Sequence, residues 1–245
     1  MPGSTLKGAV KTAMLYDWLI KDGKHRLQFL LENLQNETKR REVERELEKK
    51  MEEFSKIRFT DSVPFGKNDL TVLETCRLDL KTGTEGIPQI WEAIPSNKSA
   101  EIVVSIPEDN TINHLFTILN QYARHNNDRE WQMLENFENK INSKSYNIPI
   151  ADFHHSINEA ASESNSQTGI LRLGSGKGYY FNSVGLAVYD FQGGAHFKNF
   201  LKTYGQTKFN NPDHFPITRL VAKHSWTPLG WVSIKPKPTL PPIIQ

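Results

Sequence analysis

Residues 169–181, with the sequence GILRLGSGKGYYF, combine a short apolar run with three alternate glycines. The apolar run at 170–173 predicts a short β-strand, and the glycines that follow predict a turn. Alternate glycines allow backbone amides to approach an anion closely, and Lys177 places a positive charge among them. We therefore predict a strand that leads into an anion-binding loop. The candidate binding residues of this segment are Arg172, Gly174, Ser175, Gly176, Lys177 and Gly178, and residues 174–178 are here called the glycine loop.

Two common phosphate-binding motifs do not match the glycine loop. A P-loop that began at Gly169 would need Lys and then Ser or Thr after Gly174, but Ser175 and Gly176 stand there. A dinucleotide-binding fingerprint does not fit either, because the third glycine comes one position too early. A simple turn and an anion site therefore both stay open as interpretations of the glycine residues alone.

Positive charge is concentrated in the last third of the chain. The whole chain has 30 basic and 28 acidic residues, a formal net charge of +2. From residue 169 onward there are nine basic and two acidic residues, so this part carries +7 and the rest carries −5. Aromatic residues such as Tyr179, Tyr204 and Trp231 lie in the same part, a combination that suits binding to a nucleic-acid backbone with base stacking. The alternative is an ordinary solvated surface.

The composition excludes several classes of protein. With 245 residues, 37% of them hydrophobic, the chain can form one large domain or two small ones. Cys76 is the only cysteine, so no disulfide forms within the chain, and a reducing compartment is expected. No stretch reaches the roughly 18 apolar residues of a membrane span, and residues 1–4 lack a signal-peptide pattern. We therefore expect a soluble, cytoplasmic protein without membrane partners.

The pattern along the chain predicts a mixed α+β fold. Apolar residues at helical spacing predict a first helix that ends near Ile20 and an amphipathic helix within residues 36–56. Residues 89–94 and 101–106 are predicted to pair as a hairpin around an intervening turn. Further helices are predicted at 111–124, 130–141, 150–161, from the glycine loop to about 190 and near 197–204, and further strands at 72–80, 217–221 and 231–234.

The start of the first predicted helix is the second candidate for anion binding. Its unpaired backbone amides, two hydroxyl groups and one lysine could hold a phosphate. The alternative is an ordinary helix start, capped by Ser4 or Thr5. The candidate residues are Gly3, Ser4, Thr5, Lys7 and Gly8.

Few residues have the spacing of a catalytic or metal site. His154 and His155 are adjacent, so their rings do not share a helical face and a metal site is not expected. Cys76 has no neighbouring histidine and is expected in the core. Asp61, at the end of a strand predicted from the alternating pattern of residues 57–61, is the one carboxylate of interest as a catalytic candidate. We expect no catalytic site, no metal and no cofactor.

Several short motifs occur in an order that resembles one family. They are residues 2–12 (PGSTLKGAVKT), 58–62 (RFTDS), 91–95 (WEAIP), 172–178 (RLGSGKG) and 228–232 (PLGWV). Together they resemble the RAMP superfamily of CRISPR-associated proteins. They are most similar to the Csm-type subunit that caps the 3′ end of the guide RNA in type III-A effector complexes. The first and fourth motifs occur across the superfamily, so the similarity to this subunit rests mainly on the last motif and on the motif order.

The resemblance implies ferredoxin-like modules similar to RNA-recognition motifs: an N-terminal module with a helical insertion at 1–108 and a C-terminal region at 109–245. It implies that guide RNA is bound through its backbone at the helix start and the glycine loop. Other subunits of the type III-A complex, and host nucleases in guide maturation, are the implied partners, and the subunit itself is no nuclease. Family members carry a strand and a glycine-containing loop before the Pro-Gly-Ser helix, so the N-terminal module is expected to be incomplete.

Two enzymatic hypotheses stand beside this one. A metal-independent endoribonuclease that processes CRISPR precursor RNA also carries a C-terminal glycine-rich loop. It would need His154, His155 or the pair Tyr179 and Tyr180 as a general base. A backbone RAMP subunit that cuts target RNA with an aspartate would use Asp61 and depend on a divalent metal.

Overall fold

The computed structural model of the chain combines helices with antiparallel strands, which confirms the α+β class. No helix in the described part of the chain is long and apolar enough to cross a membrane. The structure describes residues 1–96, 98–107, 111–142, 150–162, 167–182, 184–204 and 218–237.

Three helices form the N-terminal part of the molecule: α1 (Gly3–Lys21), α2 (Lys24–Glu32) and α3 (Glu37–Phe54). The apolar stripe of α1 is buried, as its helical spacing predicts. The side chain of Asn36 caps α3 by accepting the backbone N–H of Lys39 at 3.2 Å. The helices predicted here from periodicity are therefore confirmed.

The second group of helices is α4 (Ile112–Asn142), α5 (Ile150–Ser162) and α6 (Gly185–Thr203). The two helices predicted between 111 and 141 are one continuous helix. The polar residues at 125–129, between the two predicted helices, lie inside α4. Asn126 donates to the carbonyl of Tyr122 at 2.9 Å, and Asn127 donates to the carbonyl of His154 at 2.8 Å. Their amides thus find partners without interrupting α4.

The central strand β2 (Thr71–Asp79) organises the main sheet. One half of β2 pairs with β4 (Gln89–Ala93), and the other half pairs with β7 (Thr218–Ala222), all antiparallel. The short strand β3 (Thr84–Glu85) turns back onto the end of β2. Cys76 is fully buried in this sheet, as predicted.

The predicted hairpin between 89–94 and 101–106 is wrong. The first of these segments, β4, pairs with β2, while β5 (Val104–Ser105) pairs with β1 (Arg58–Phe59). The long strand β2 offers β4 a five-residue register, which a hairpin with the short β5 does not. The turn residues between the two segments therefore do not determine their pairing, because each segment pairs with a strand elsewhere in the chain.

The third pair of strands is β6 (Gly169–Arg172) with β8 (Trp231–Ile234). One hydrophobic cluster extends from the N-terminal helices to the C-terminal strands and includes the fully buried Leu19, Leu78, Leu119 and Leu186. The predicted boundary between 108 and 109 is not tested by this packing and stays a prediction.

Candidate nucleic-acid interface

Strands β6 and β8 hold the base of the glycine loop. Arg172 lies opposite Trp231 in their register, and the N–H of Leu173 donates to the carbonyl of Gly230 at 2.7 Å. Gly230 approaches so closely that a Cβ there would lie 2.0 Å from the carbonyl oxygen of Leu173. The structure therefore brings together the two separate motifs at 172–178 and 228–232.

The glycine loop is a single 3-10 turn, Ser175–Lys177, between two glycines of unusual conformation. Gly174 and Gly178 have φ of 87° and 80° with ψ of −179°, a region essentially restricted to glycine. A Cβ at either position would meet no atom of the described residues within 4 Å. The backbone conformation, rather than a lack of space, therefore requires these two glycines, and the space beside them is open to an approaching ligand.

The side chain of Arg172 holds the glycine loop in place through hydrogen bonds. Its Nη1 donates to Glu130 Oε2 at 2.7 Å, its Nε to the carbonyl of Leu229 at 2.7 Å and its Nη2 to the carbonyl of Gly176 at 3.2 Å. The side chain is only 1% exposed. Arg172 thus ties the loop to α4 and to the 228–232 segment. A direct contact between Arg172 and RNA stays a prediction, and the described geometry gives this residue a positioning role.

Glu130 joins two buried arginines under the loop. Besides Arg172, it pairs with Arg219, whose Nε lies 3.2 Å from Glu130 Oε1, and all three side chains are at most 5% exposed. Burial alone would raise the pKa of Glu130, but the two guanidinium groups lower it overall. Sequence reasoning missed this cluster. The available signal was that Glu130 falls on the apolar face of α4, in register with the buried Ala123 and Leu134.

Lys177 is the cation of the loop itself. It is partly buried and lines a small space with Gly178, Asn126 and Arg219. Burial lowers the pKa of its ammonium group. Among the residues that the structure describes, no carboxylate forms an ion pair with it. A partly desolvated, unpaired cation on an open glycine loop favours the binding of an anion.

The start of α1, the second candidate for anion binding, packs against residues 60 and 61. The N–H of Gly3 donates to Asp61 Oδ1 at 2.6 Å, and the carbonyl of Thr60 leaves no room for a side chain at Gly3. The predicted caps Ser4 and Thr5 are therefore wrong, since Asp61, two residues after β1, accepts the first N–H of α1 instead. This contact also gives Asp61 a structural role. Ser4 and Gly8 are exposed, and Thr5 and Lys7 are half-buried.

Replacing Asp61 with Ala is expected to lower the free energy of unfolding by about 1 kcal/mol, because α1 loses the acceptor at its first amide. Asp61→Asn keeps an acceptor oxygen and serves as the matched control. Urea unfolding of both variants would measure the difference. Equal losses for Ala and Asn would show that the contact with Gly3 does not stabilise the helix.

The two adjacent histidines occupy opposite environments on α5. His154 is 2% exposed, and its Nδ1 lies 2.5 Å from Asn127 Oδ1. Because the amide nitrogen of Asn127 donates elsewhere, this Nδ1 carries the proton. Burial lowers the pKa of His154 to about 4. His155 is exposed. His154 is therefore placed as a neutral interior residue rather than as a general base at a surface.

Acid is expected to destabilise the protein through His154. The unfolded ring gains a proton below its ordinary pKa of 6.5, whereas the folded ring stays neutral down to about pH 4. The free energy of unfolding should therefore fall by about 2 kcal/mol between pH 7 and pH 5 from this residue alone. The His154→Gln variant should show a flatter pH profile in urea unfolding, and His155→Gln should keep the wild-type slope. A steep profile retained by His154→Gln would contradict this assignment. The charged groups that act on His154 are Glu130, Arg172, Asp128 and Arg219.

A third histidine, which sequence reasoning missed, has a carboxylate partner. The hydroxyl of Tyr16 donates to Asp190 Oδ2 at 2.7 Å, and His125 Nδ1 contacts both groups, with 3.1 Å to Asp190. Both neighbours present lone pairs, so Nδ1 carries the proton and Nε2 is left as the basic nitrogen. The three residues lie on α1, α4 and α6, too far apart in sequence to form a recognisable motif. Among the described residues, no group of three or more His, Cys, Asp or Glu could hold a metal ion.

Two solved structures have the same fold as this chain. One is a chain in the cryo-EM structure of a Csm–crRNA–target RNA ternary complex of a type III-A CRISPR-Cas system. It matches with a TM-score of 0.62 and 17% identity, over 96% of this chain and 72% of that chain. The other is the crystal structure of Csm5 from T. onnurineus, with a TM-score of 0.57 and 16% identity, over 96% of this chain and 70% of that chain.

No protein-family model matches the sequence, and no curated protein matches it significantly. At 16% and 17% identity the structural matches establish the architecture. The resemblance of the sequence motifs to a Csm-type subunit is therefore confirmed as a Csm5-like fold.

Proposed function

We propose that the chain is a non-catalytic RNA-binding subunit of a type III-A CRISPR interference complex, which caps the 3′ end of the guide RNA and assists its maturation in antiviral defence. Its two parts, 1–108 and 109–245, would be ferredoxin-like RAMP modules. The setting is the cytoplasm, and host nucleases would act on the guide beside it. The Csm5-like fold supports this proposal at the level of architecture.

The observation that carries the proposal is Lys177 on the glycine loop, a cation that forms no ion pair with the described residues. RNA binding that is independent of sequence depends on cations that neutralise phosphates. The loop offers such a cation, an open backbone at Gly174 and Gly178, and a buried network that fixes its shape. The helix start, with Ser4, Lys7 and Gly8, is proposed as a second phosphate contact.

An exposed apolar surface supports the assignment of partner subunits. Val72 and Ile90 share one face of the β2–β4 pair and are 73% and 78% exposed. Ile87 and Ile94, which flank β4, are 86% and 47% exposed. Apolar side chains grouped in this way mark a protein interface more often than a free surface. We assign this face to a neighbouring protein subunit and the glycine loop to RNA.

The alternative function, a metal-independent endoribonuclease that processes precursor RNA, is favoured by one observation. His125 has a basic Nε2 and an Asp190 partner, an arrangement suited to a general base. His155 is exposed but has no such partner among the described residues. Cleavage of precursor RNA in the presence of a chelator, abolished in His125→Ala, would replace our proposal with this one.

Titration of a labelled single-stranded RNA at increasing salt tests the proposed function. Binding through phosphates should weaken steadily as salt rises from about 50 to 200 mM, with a slope of roughly −0.7 per phosphate contact in a plot of log affinity against log salt. The RNA should remain intact throughout. Binding that does not change with salt, or no binding at all, would contradict the proposal.

A further inference from the structure

A cavity of about 360 Å³ lies between α2, α3 and α6, next to the residues that follow the glycine loop. Its volume falls within the roughly 300 to 1,000 Å³ that is usual for small-molecule sites. Its walls are apolar and aromatic apart from one carboxylate. The residues that line it include Leu30, Glu44, Leu47, Tyr179, Phe200 and Tyr204.

Tyr179 connects this cavity to the glycine loop. The residue follows Gly178 directly and lines both the cavity and the small space beside Lys177. A nucleotide whose phosphate lies on the loop would therefore lie next to a residue of the cavity wall. The cavity and the small space beside Lys177 share this one lining residue.

The polar wall of the cavity presents a hydrogen-bond acceptor. Glu44 Oε1 accepts the hydroxyl proton of Tyr204 at 2.7 Å, and Arg40 Nε lies 3.5 Å from the same oxygen. These contacts fix the carboxylate, while Glu44 Oε2 has no partner among the described residues. The ring of Tyr204 packs against Phe200 with centroids 4.7 Å apart. A flat ligand with adjacent N–H donors would find both an aromatic wall and a fixed acceptor here.

We propose that this cavity is a subsite for an unpaired guanine base of the bound RNA. Guanine carries N–H donors at N1 and N2 on one edge, which match a carboxylate that only accepts. Adenine and cytosine offer one amino group beside a ring acceptor, and uracil offers a single N–H. Single-stranded bases are recognised by stacking on aromatic side chains and by hydrogen bonds to this edge. The proposal rests on the proposed function and names the base that the protein selects.

Fluorescence anisotropy with a set of labelled oligouridines tests this subsite. In each oligomer one position, moved stepwise along the chain, carries guanosine, inosine or adenosine. Wild-type protein should bind at least one guanosine oligomer about tenfold more tightly than oligouridine. The corresponding inosine oligomer lacks the N2 amine and should bind more weakly than the guanosine oligomer. Glu44→Gln should remove the preference for guanosine. Leu47→Trp, which fills the cavity, should remove it as well, while Glu48→Gln, at an exposed position on the same helix, should keep it.

The outcomes separate this proposal from the proposed function. If oligouridine binds but guanosine adds nothing at any position, the subsite is overturned and the RNA-binding function stands. If no oligomer binds, the proposed function fails, and a titration with guanosine 5′-monophosphate followed by NMR decides the subsite alone. A guanosine preference that survives in both Glu44→Gln and Leu47→Trp would also overturn it. Loss of binding to protein subunits in Leu47→Trp, with the guanosine preference intact, would assign the cavity to a protein segment.

Discussion

Replacing Glu130 with Ala is expected to lower the free energy of unfolding by about 3 to 5 kcal/mol. Glu130 forms ion pairs with both Arg172 and Arg219, and both arginines are at most 5% exposed. Without Glu130, two buried guanidinium groups lose the carboxylate that they share. Since a domain of this kind has a total stability of about 5 to 15 kcal/mol, this loss is a large fraction of it.

A graded series keeps this prediction testable where the Ala variant does not fold. Glu130→Gln retains the shape and one acceptor but not the charge, so it should unfold at a temperature between those of the Ala variant and the wild type. Glu135→Gln, at an exposed position on the same helix, is the matched control. Thermal unfolding followed by circular dichroism measures all three. If Glu130→Gln and Glu135→Gln unfold at the same temperature, the buried network does not stabilise the fold.

Replacing Lys177 with Glu is expected to weaken binding to single-stranded RNA by at least about tenfold at low salt. The substitution removes the partly buried cation of the glycine loop and places an anion where a phosphate is proposed to lie. The effect should diminish as salt rises, because both the attraction and the repulsion are screened. Anisotropy titrations at two salt concentrations would measure it.

The fold should survive the Lys177 substitution, because the side chain forms no ion pair with the described residues. Its thermal unfolding should therefore match that of the wild type, which separates it from Glu130→Ala. Lys67→Glu, an equal change of charge at an exposed position, is the control for net charge. An equal loss of affinity in both variants would mean that total charge, and not the glycine loop, determines binding.

Local patterns in the sequence predicted the helices well because helical periodicity is a property of neighbouring residues. The helix within 36–56 appeared as α3 with its Asn36 cap, and the strand at 231–234 appeared as β8. The hairpin between 89–94 and 101–106 was wrong because the partner of each segment lies elsewhere in the chain. Pairing across the sheet depends on long-range packing, which local turn residues do not determine.

The candidate site was predicted only where its signal is local in the sequence. Three alternate glycines in the sequence predicted the glycine loop, and the structure confirms that it forms a turn with two glycines at positive φ. The role of Arg172 could not be predicted, since its partner Glu130 lies 42 residues earlier in the chain. Asp61 was noticed, but its contact with Gly3 spans 58 residues and has no local signature. Contacts of this kind arise from tertiary packing alone.

The 3′ ends of the guide RNA provide the most direct test of the proposed function. The tagged chain would be expressed with the other subunits of a type III-A complex and a CRISPR array, and the 3′ ends of the RNA that co-purifies would be mapped. We predict longer, protected 3′ ends in the complex with the wild-type chain than in a complex without it, and shorter ends with Lys177→Glu. Identical 3′ ends in all three complexes, with the chain present in the purified assembly, would contradict the proposal.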